Sequence, residues 1–267
     1  MPELPEVETI VRAVKPYAEG KKIQAIRSDT PRLFRECKSF GAVKKAVEGK
    51  RIIALERIGK NIVFRLDGEY DLWLHLMMSG SLLTGREAGK ETYIRMEIEL
   101  DNGKKILFRD IRKFGRVRLV EKIDTSMRLG PDALVVSFSQ FAYIIQRKKK
   151  AVKTVLLDQS LVCGIGNIYA DEILWYAGVM PLRNTDSLSM EEIKKIYKYM
   201  NTVLSAAIRV AGTSFRDYRK PDGSEGGYFA ARKVYQRTGE ACAKDGALIQ
   251  RTIIAQRGTH FCPAHQL

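Results

Sequence analysis

The chain has 267 residues, 45% of them hydrophobic, enough for one large or two ordinary domains, each with a real core. Lys and Arg number 46 against 31 acids, a net charge of +15 with a pI near 9.7, which favours a polyanionic partner over a merely basic soluble protein. No apolar run reaches the ~18 residues of a membrane helix, acids stand where a secretory leader carries bases, and four cysteines do not suggest a disulfide scaffold, so a reducing cytoplasm is expected.

In chain order, Val7, Ile10, Val11 and Val14 repeat at helical spacing, with Pro5, Glu6 and Glu8 suited to a first helical turn. Lys15-Pro16 and Gly20 are expected to stop this helix. From about Lys22 to Val120 the chain reads mostly as strands. Ile52–Ile58 and Ile62–Leu66 flank a turn at Gly59-Lys60-Asn61, and Asn102-Gly103 joins two alternating runs. These runs predict an antiparallel sandwich. Beyond about Asp132 the pattern turns helical. Ser189 and Glu192 form a capping box ahead of the stripe Ile193, Ile196, Tyr197, Met200, Leu204 and Ala207, which Gly212 is expected to end. A Gly-rich loop and a Cys-bearing tail follow, and a domain boundary is expected between Leu129 and Ser139.

Several strings carry chemistry beyond their elements. Loss of Met1 would leave Pro2 with a secondary amine at the terminus, where an α-amino group has a pKa of roughly 7.7–8.0 and is partly unprotonated at neutrality. Such an amine can attack a sugar carbon and go on to an iminium, an electron sink, with Glu3 beside it to move protons. Taken alone, Lys60 is a solvated turn lysine, His75 a surface histidine, Met78 core filler, and the run Arg147-Lys148-Lys149-Lys150 with Lys153 a solvated face. Gly164 and Gly166 lie at an inter-helix turn whose following helix N-terminus can hold a phosphate. Cys242-x-x-Asp245 and Cys262-x-x-His265 are separated by 16 residues, a donor set that zinc accepts, although Asp245-Gly246 alone is a simple turn.

Together these strings resemble the formamidopyrimidine-DNA glycosylases, bacterial base-excision enzymes that remove oxidised purines. The Pro2–Glu8 string, Arg57-Ile58-Gly59-Lys60, the stretch from His75 to Gly80, Asp110 to Gly115, and Gly164 to Glu172 follow that family's motifs in order. The resemblance implies an α+β protein of two domains joined by a hinge, with DNA in the cleft between them. Residues 1–132 would be the catalytic β-sandwich domain with its leading helix, and 133–267 a helix-two-turns-helix domain ending in a zinc-finger-like hairpin at about 235–267.

It implies Pro2 as nucleophile, Glu3 as proton shuttle, Lys60 and Arg257 as aids to elimination, and Glu6 and Glu172 as supporting carboxylates. DNA contacts would come from His75, Met78, Arg112, Phe114, Lys149, Lys153 and Asn167, with Met78 and Phe114 filling the gap left by an extruded base and Arg112 meeting the orphaned cytosine. One structural Zn²⁺ would be held by Cys242, Asp245, Cys262 and His265, two of which replace family cysteines. The implied protein is a nucleoid-associated monomer acting on damaged duplex DNA. Two readings stay open beside it: an oxidised-pyrimidine enzyme of the endonuclease VIII kind, disfavoured by Arg112-Lys113-Phe114, and a DNA-binding protein without catalysis, favoured if Met1 is retained. The family's usual His-x-His before the strand starting at Tyr93 is here Glu91-Thr92-Tyr93, which leaves a DNA contact there in doubt.

Overall fold

Helix α1 (Leu4–Ala18) opens the chain and buries the expected stripe, Val7, Ile10, Val11 and Val14. Pro16 does not stop it. The proline lies inside the last turn, and the stripe continues to buried Ala18, which offsets the hydrogen bond the proline cannot make. The chain leaves the helix at Gly20, whose φ of +77° suits glycine. The computed structural model describes residues 1–85, 90–122, 129–214 and 217–267.

Two four-stranded antiparallel sheets follow. One has the order β1 (Ile23–Arg27), β6 (Ile94–Leu100), β7 (Lys105–Asp110), β5 (Gly80–Thr84); the other runs β2 (Ile52–Ile58), β3 (Asn61–Leu66), β4 (Tyr70–His75), β8 (Arg116–Glu121). Alternation puts Ile26, Ile98 and Phe108 of the first sheet and Leu55, Phe64 and Leu74 of the second into one core with α1. Ile58 pairs with Asn61, so Gly59 and Lys60 alone form the turn, with Gly59 at φ +59°. Helix α2 (Phe40–Val47) interrupts the region read as strands; Ser39 caps it, accepting from Ala42 N at 3.0 Å.

The helical half contains α3 (Phe138–Gln146), α4 (Val152–Leu157), α5 (Asn167–Ala177) and α6 (Met190–Arg209). The capping box forms as expected, with Ser189 N donating to Glu192 at 2.8 Å and Glu192 N to Ser189 Oγ at 3.2 Å. Helix α6 ends at Arg209, before Gly212, because Ala211 and Gly212 both take positive φ. A short helix α7 (Tyr228–Ala231) leads to a hairpin of β9 (Gln250–Ile254) and β10 (Arg257–Phe261).

The chain forms two compact units, Met1–Met127 with Val210–Phe229, and Arg128–Arg209 with Ala230–Leu267. The sequence reading put all of 133–267 in one domain, whereas Val210–Phe229 groups with the first unit. The cause is hydrogen bonding: Thr213 N donates to Glu6 at 2.7 Å and Thr84 N to Pro221 O at 3.1 Å. No described helix is long and apolar enough to cross a membrane.

Candidate active site and nucleic-acid interface

The turn before α1 is sequestered. Pro2 is buried, Glu3 is 2% exposed and Glu6 1%. The Glu6 carboxylate accepts from Glu3 N at 2.7 Å with one oxygen and from Thr213 N at 2.7 Å with the other. It thus fixes the residue next to Pro2 and ties it to the 210–229 segment. Gly212 must be glycine here, since its φ is +78° and a Cβ would come within 2.8 Å of Glu6 Oε1. A second link reaches Lys60, itself only 8% exposed in its turn. Arg57 donates to Glu8 at 2.7 Å and to Gly59 O at 3.1 Å, so α1 holds the Lys60 turn through one guanidinium. Burial pushes the Glu8 carboxyl up, but Arg57 and Arg12 outweigh it and hold the pKa below the ordinary value.

Met78, Arg112 and Phe114 come together as one projecting cluster. Arg112 donates to Met78 Sδ at 3.4 Å and its guanidinium lies 4.9 Å from the Phe114 ring centroid. Both supporting loops hang on Asp110, 1% exposed. Its carboxylate accepts from Ser79 Oγ at 2.5 Å, Arg112 N at 3.2 Å and Gly115 N at 2.8 Å. Gly115 lies so close to Phe108 that a Cβ would sit 2.5 Å from that ring. The three projecting side chains therefore stand on a rigid base while Met78 remains 40% exposed. His75 is held nearby in sequence: its Nδ1 accepts from Met77 N at 2.9 Å. Burial, followed by Lys60 and Arg116, pulls its pKa down to about 4, so the ring is neutral at pH 7 and carries its proton on Nε2 as a donor.

In the second unit, α4 and α5 with the two turns between them form the helix-two-turns-helix. Asn167, first residue of α5, donates to Gly258 O at 2.9 Å and lines a pocket of about 450 Å³ with Tyr235, Arg251 and His260. Arg257 is exposed at the start of β10, after a turn in which Ala255 and Gln256 both have positive φ. Lys149 is exposed. Lys153 is a correction: it is fully buried, 2.6 Å from Asp171, and donates to Thr259 Oγ1 at 2.8 Å. It joins α4, α5 and β10 internally because a lone buried ammonium needs a carboxylate. Glu172 is buried as well and accepts from Lys233, Val234 and Tyr235 N–H groups at 2.7–2.9 Å. Burial raises its pKa against those three bonds. It shapes the 233–235 loop.

The tail brings all four expected donors together. One ligand atom from each of Cys242, Asp245, Cys262 and His265 lies within 4.8 Å of the others. Cys242 Sγ to His265 Nδ1 is 3.6 Å and Cys262 Sγ to Asp245 Oδ2 3.3 Å. Tetrahedral zinc with bonds of about 2.0–2.3 Å places its ligands about 3.3–3.8 Å apart. His265 Nε2 lies 3.1 Å from Trp175 O, which takes the proton on that nitrogen and leaves Nδ1 facing the cluster as a ligand. The donor set fits a metal ion.

Sequence reading missed Ser79 and the Glu8–Arg57 link, and saw Asp110 only as part of a motif. A buried acid next to a basic stretch was the available signal for Asp110.

The two units, with a buried proline turn, a projecting Met-Arg-Phe cluster and a helix-two-turns-helix, define the class of DNA glycosylases built on this fold. Two family models match: the formamidopyrimidine-DNA glycosylase N-terminal domain over residues 1–117 and that family's H2TH domain over 129–219. Curated relatives named formamidopyrimidine-DNA glycosylase include one from Chloroflexus aurantiacus, 38% identical over 100% of this chain and 98% of its own, and one from Desulfitobacterium hafniense, 39% identical with 100% of both covered. Among solved structures, Lactococcus lactis Fpg in complex with abasic-site DNA has a TM-score of 0.90 at 32% identity, covering 99% of both chains. MutM (Fpg) from Thermus thermophilus has 0.88 at 35%, covering 99% of this chain and 98% of that one. The chain belongs to the formamidopyrimidine-DNA glycosylase family.

Proposed function

We propose that the protein is a base-excision glycosylase with lyase activity, acting on oxidised purines in duplex DNA. Removal of Met1 frees the Pro2 nitrogen; Met1 is 45% exposed, open to an aminopeptidase. The amine then attacks C1′ of the damaged nucleotide, the glycosidic bond breaks, and the base leaves with a proton. Glu3 carries protons to and from the opening sugar. The resulting iminium withdraws electrons, so loss of a C2′ proton expels the 3′ phosphate and a second elimination expels the 5′ phosphate. Lys60 and Arg257 assist these departures, and a one-nucleotide gap remains.

Met78 and Phe114 fill the space of the extruded base and Arg112 donates to the cytosine left behind. His75, through Nε2–H, Lys149 and Asn167 hold backbone phosphates. Glu6 acts by fixing Glu3, and Glu172 by shaping the 233–235 loop. The Gly223–Gly227 loop closes over the flipped base. One Zn²⁺ on Cys242, Asp245, Cys262 and His265 holds the hairpin that carries Arg257. The protein works in the cytoplasm, at the nucleoid, as a monomer. The catalytic domain comprises about residues 1–132 together with 210–229, and the helix-two-turns-helix domain the rest of 133–267. The observation that carries the reading is the buried Pro2-Glu3 turn locked by Glu6. Base release from an 8-oxoguanine:C duplex should exceed that from a thymine-glycol duplex; the reverse order would move the enzyme to the pyrimidine branch.

A further inference from the structure

The residue just before strand β6 is unusual. Tyr93 has φ +63°, a left-handed backbone that bulky side chains rarely adopt, and its ring is 48% exposed. Two guanidinium groups, those of Arg95 and Arg109, each lie 5.8 Å from the centroid of that one ring. The other strand arginines of this unit, Arg27, Arg57, Arg65, Arg116 and Arg118, all pair with carboxylates. Among the described residues no carboxylate pairs with Arg95 or Arg109. A ring attracts one guanidinium readily, but two like charges against one ring repel each other, and an anion between them removes that cost. The group is rigidly attached to the wedge base: Asp110 N donates to Tyr93 O at 2.9 Å and Arg95 Nε to Asp110 O at 2.9 Å.

We propose that Arg95, Arg109 and Tyr93 form a clamp for one DNA backbone phosphate, next to the Met78-Arg112-Phe114 cluster. Planar guanidiniums suit phosphate oxygens, and both arginines are half-exposed beside the exposed tyrosine. The clamp supplies the contact that Glu91-Thr92-Tyr93 had left in doubt, with arginines that lie farther along the two strands. It rests on the reading of the protein as DNA-acting and adds a positioning contact to it.

The test is binding of the full-length protein to damaged and undamaged duplexes across a salt series. The Arg95→Gln/Arg109→Gln double variant should bind both duplexes about tenfold more weakly at low salt, with the log–log salt slope reduced in magnitude by about one. Excision at subsaturating protein should fall with the lost binding, and Arg109→Lys should keep the wild-type slope. If Arg95→Gln lowers the melting temperature, Arg109→Gln alone decides through the same slope, since Arg109 makes no side-chain hydrogen bond among the described residues. A variant slope equal to that of the wild type overturns the clamp while excision by the wild type continues. A reduced slope in a protein that excises nothing keeps the clamp and removes the enzyme reading.

Discussion

The wedge base of the first unit and the tail cluster of the second each gather polar groups around a buried carboxylate or thiol, yet they satisfy them in opposite ways. Around Asp110 every neighbour is a donor: Ser79 Oγ, Arg112 N and Gly115 N all point at its oxygens. That arrangement is complete within the chain. Around Cys262 the neighbours offer lone pairs: the thiolate of Cys242, the carboxylate of Asp245 and the neutral His265 Nδ1. Such a set is complete only with protons or with a cation. The first region is preorganised by folding alone, and the second has a donor set that a bound cation would complete.

The largest expected effect lies on the metal side. Stripping zinc from the whole protein should unfold the hairpin and lower the melting temperature, because structural zinc supplies about 10–16 kcal/mol in zinc-finger peptides near neutral pH. Metal analysis should find one ion per chain, and a chelator-insensitive melting curve would break the contrast. Next comes Lys153→Met, which leaves Asp171 buried without its ammonium and should cost about 3–5 kcal/mol, measured by denaturant unfolding. A cost below that of a surface change would return Lys153 to the solvated face.

The third prediction concerns pH and the first unit. His75 is folded with a pKa of about 4 against an ordinary 6.5, so the unfolded chain binds more protons in that window. Stability should fall as pH drops from 6.5 toward 4, by about 3 kcal/mol at most, and His75→Asn should flatten that slope. The smallest is Ser79→Ala, which removes one donor to Asp110 and should cost about 2 kcal/mol, with weaker lesion binding because the Arg112 loop loosens.

Local signals made much of this legible. The α1 stripe was readable from its period, the Lys60 turn from Gly59, and the α6 start from Ser189 and Glu192, since each depends on residues a few positions apart. Helix α2 was hidden because eight residues with only Val43 and Val47 buried give too little period. Lys153 was hidden inside a charge run, for its partner Asp171 lies on another helix. The docking of Val210–Phe229 on the first unit was hidden because its contacts, Thr213 N to Glu6 and Thr84 N to Pro221 O among them, join residues far apart in the chain. The four tail donors were legible because their spacing is itself the chemistry. The Tyr93 clamp was not, because Arg95 and Arg109 meet only through the pairing of β6 with β7.

Borohydride trapping bears most directly on the first unit. Protein freed of Met1, mixed with an 8-oxoguanine:C duplex and reduced, should give a covalent adduct that peptide mapping places on Pro2, while protein retaining Met1 gives none. An adduct on Lys60, or none from the processed chain, would contradict the account.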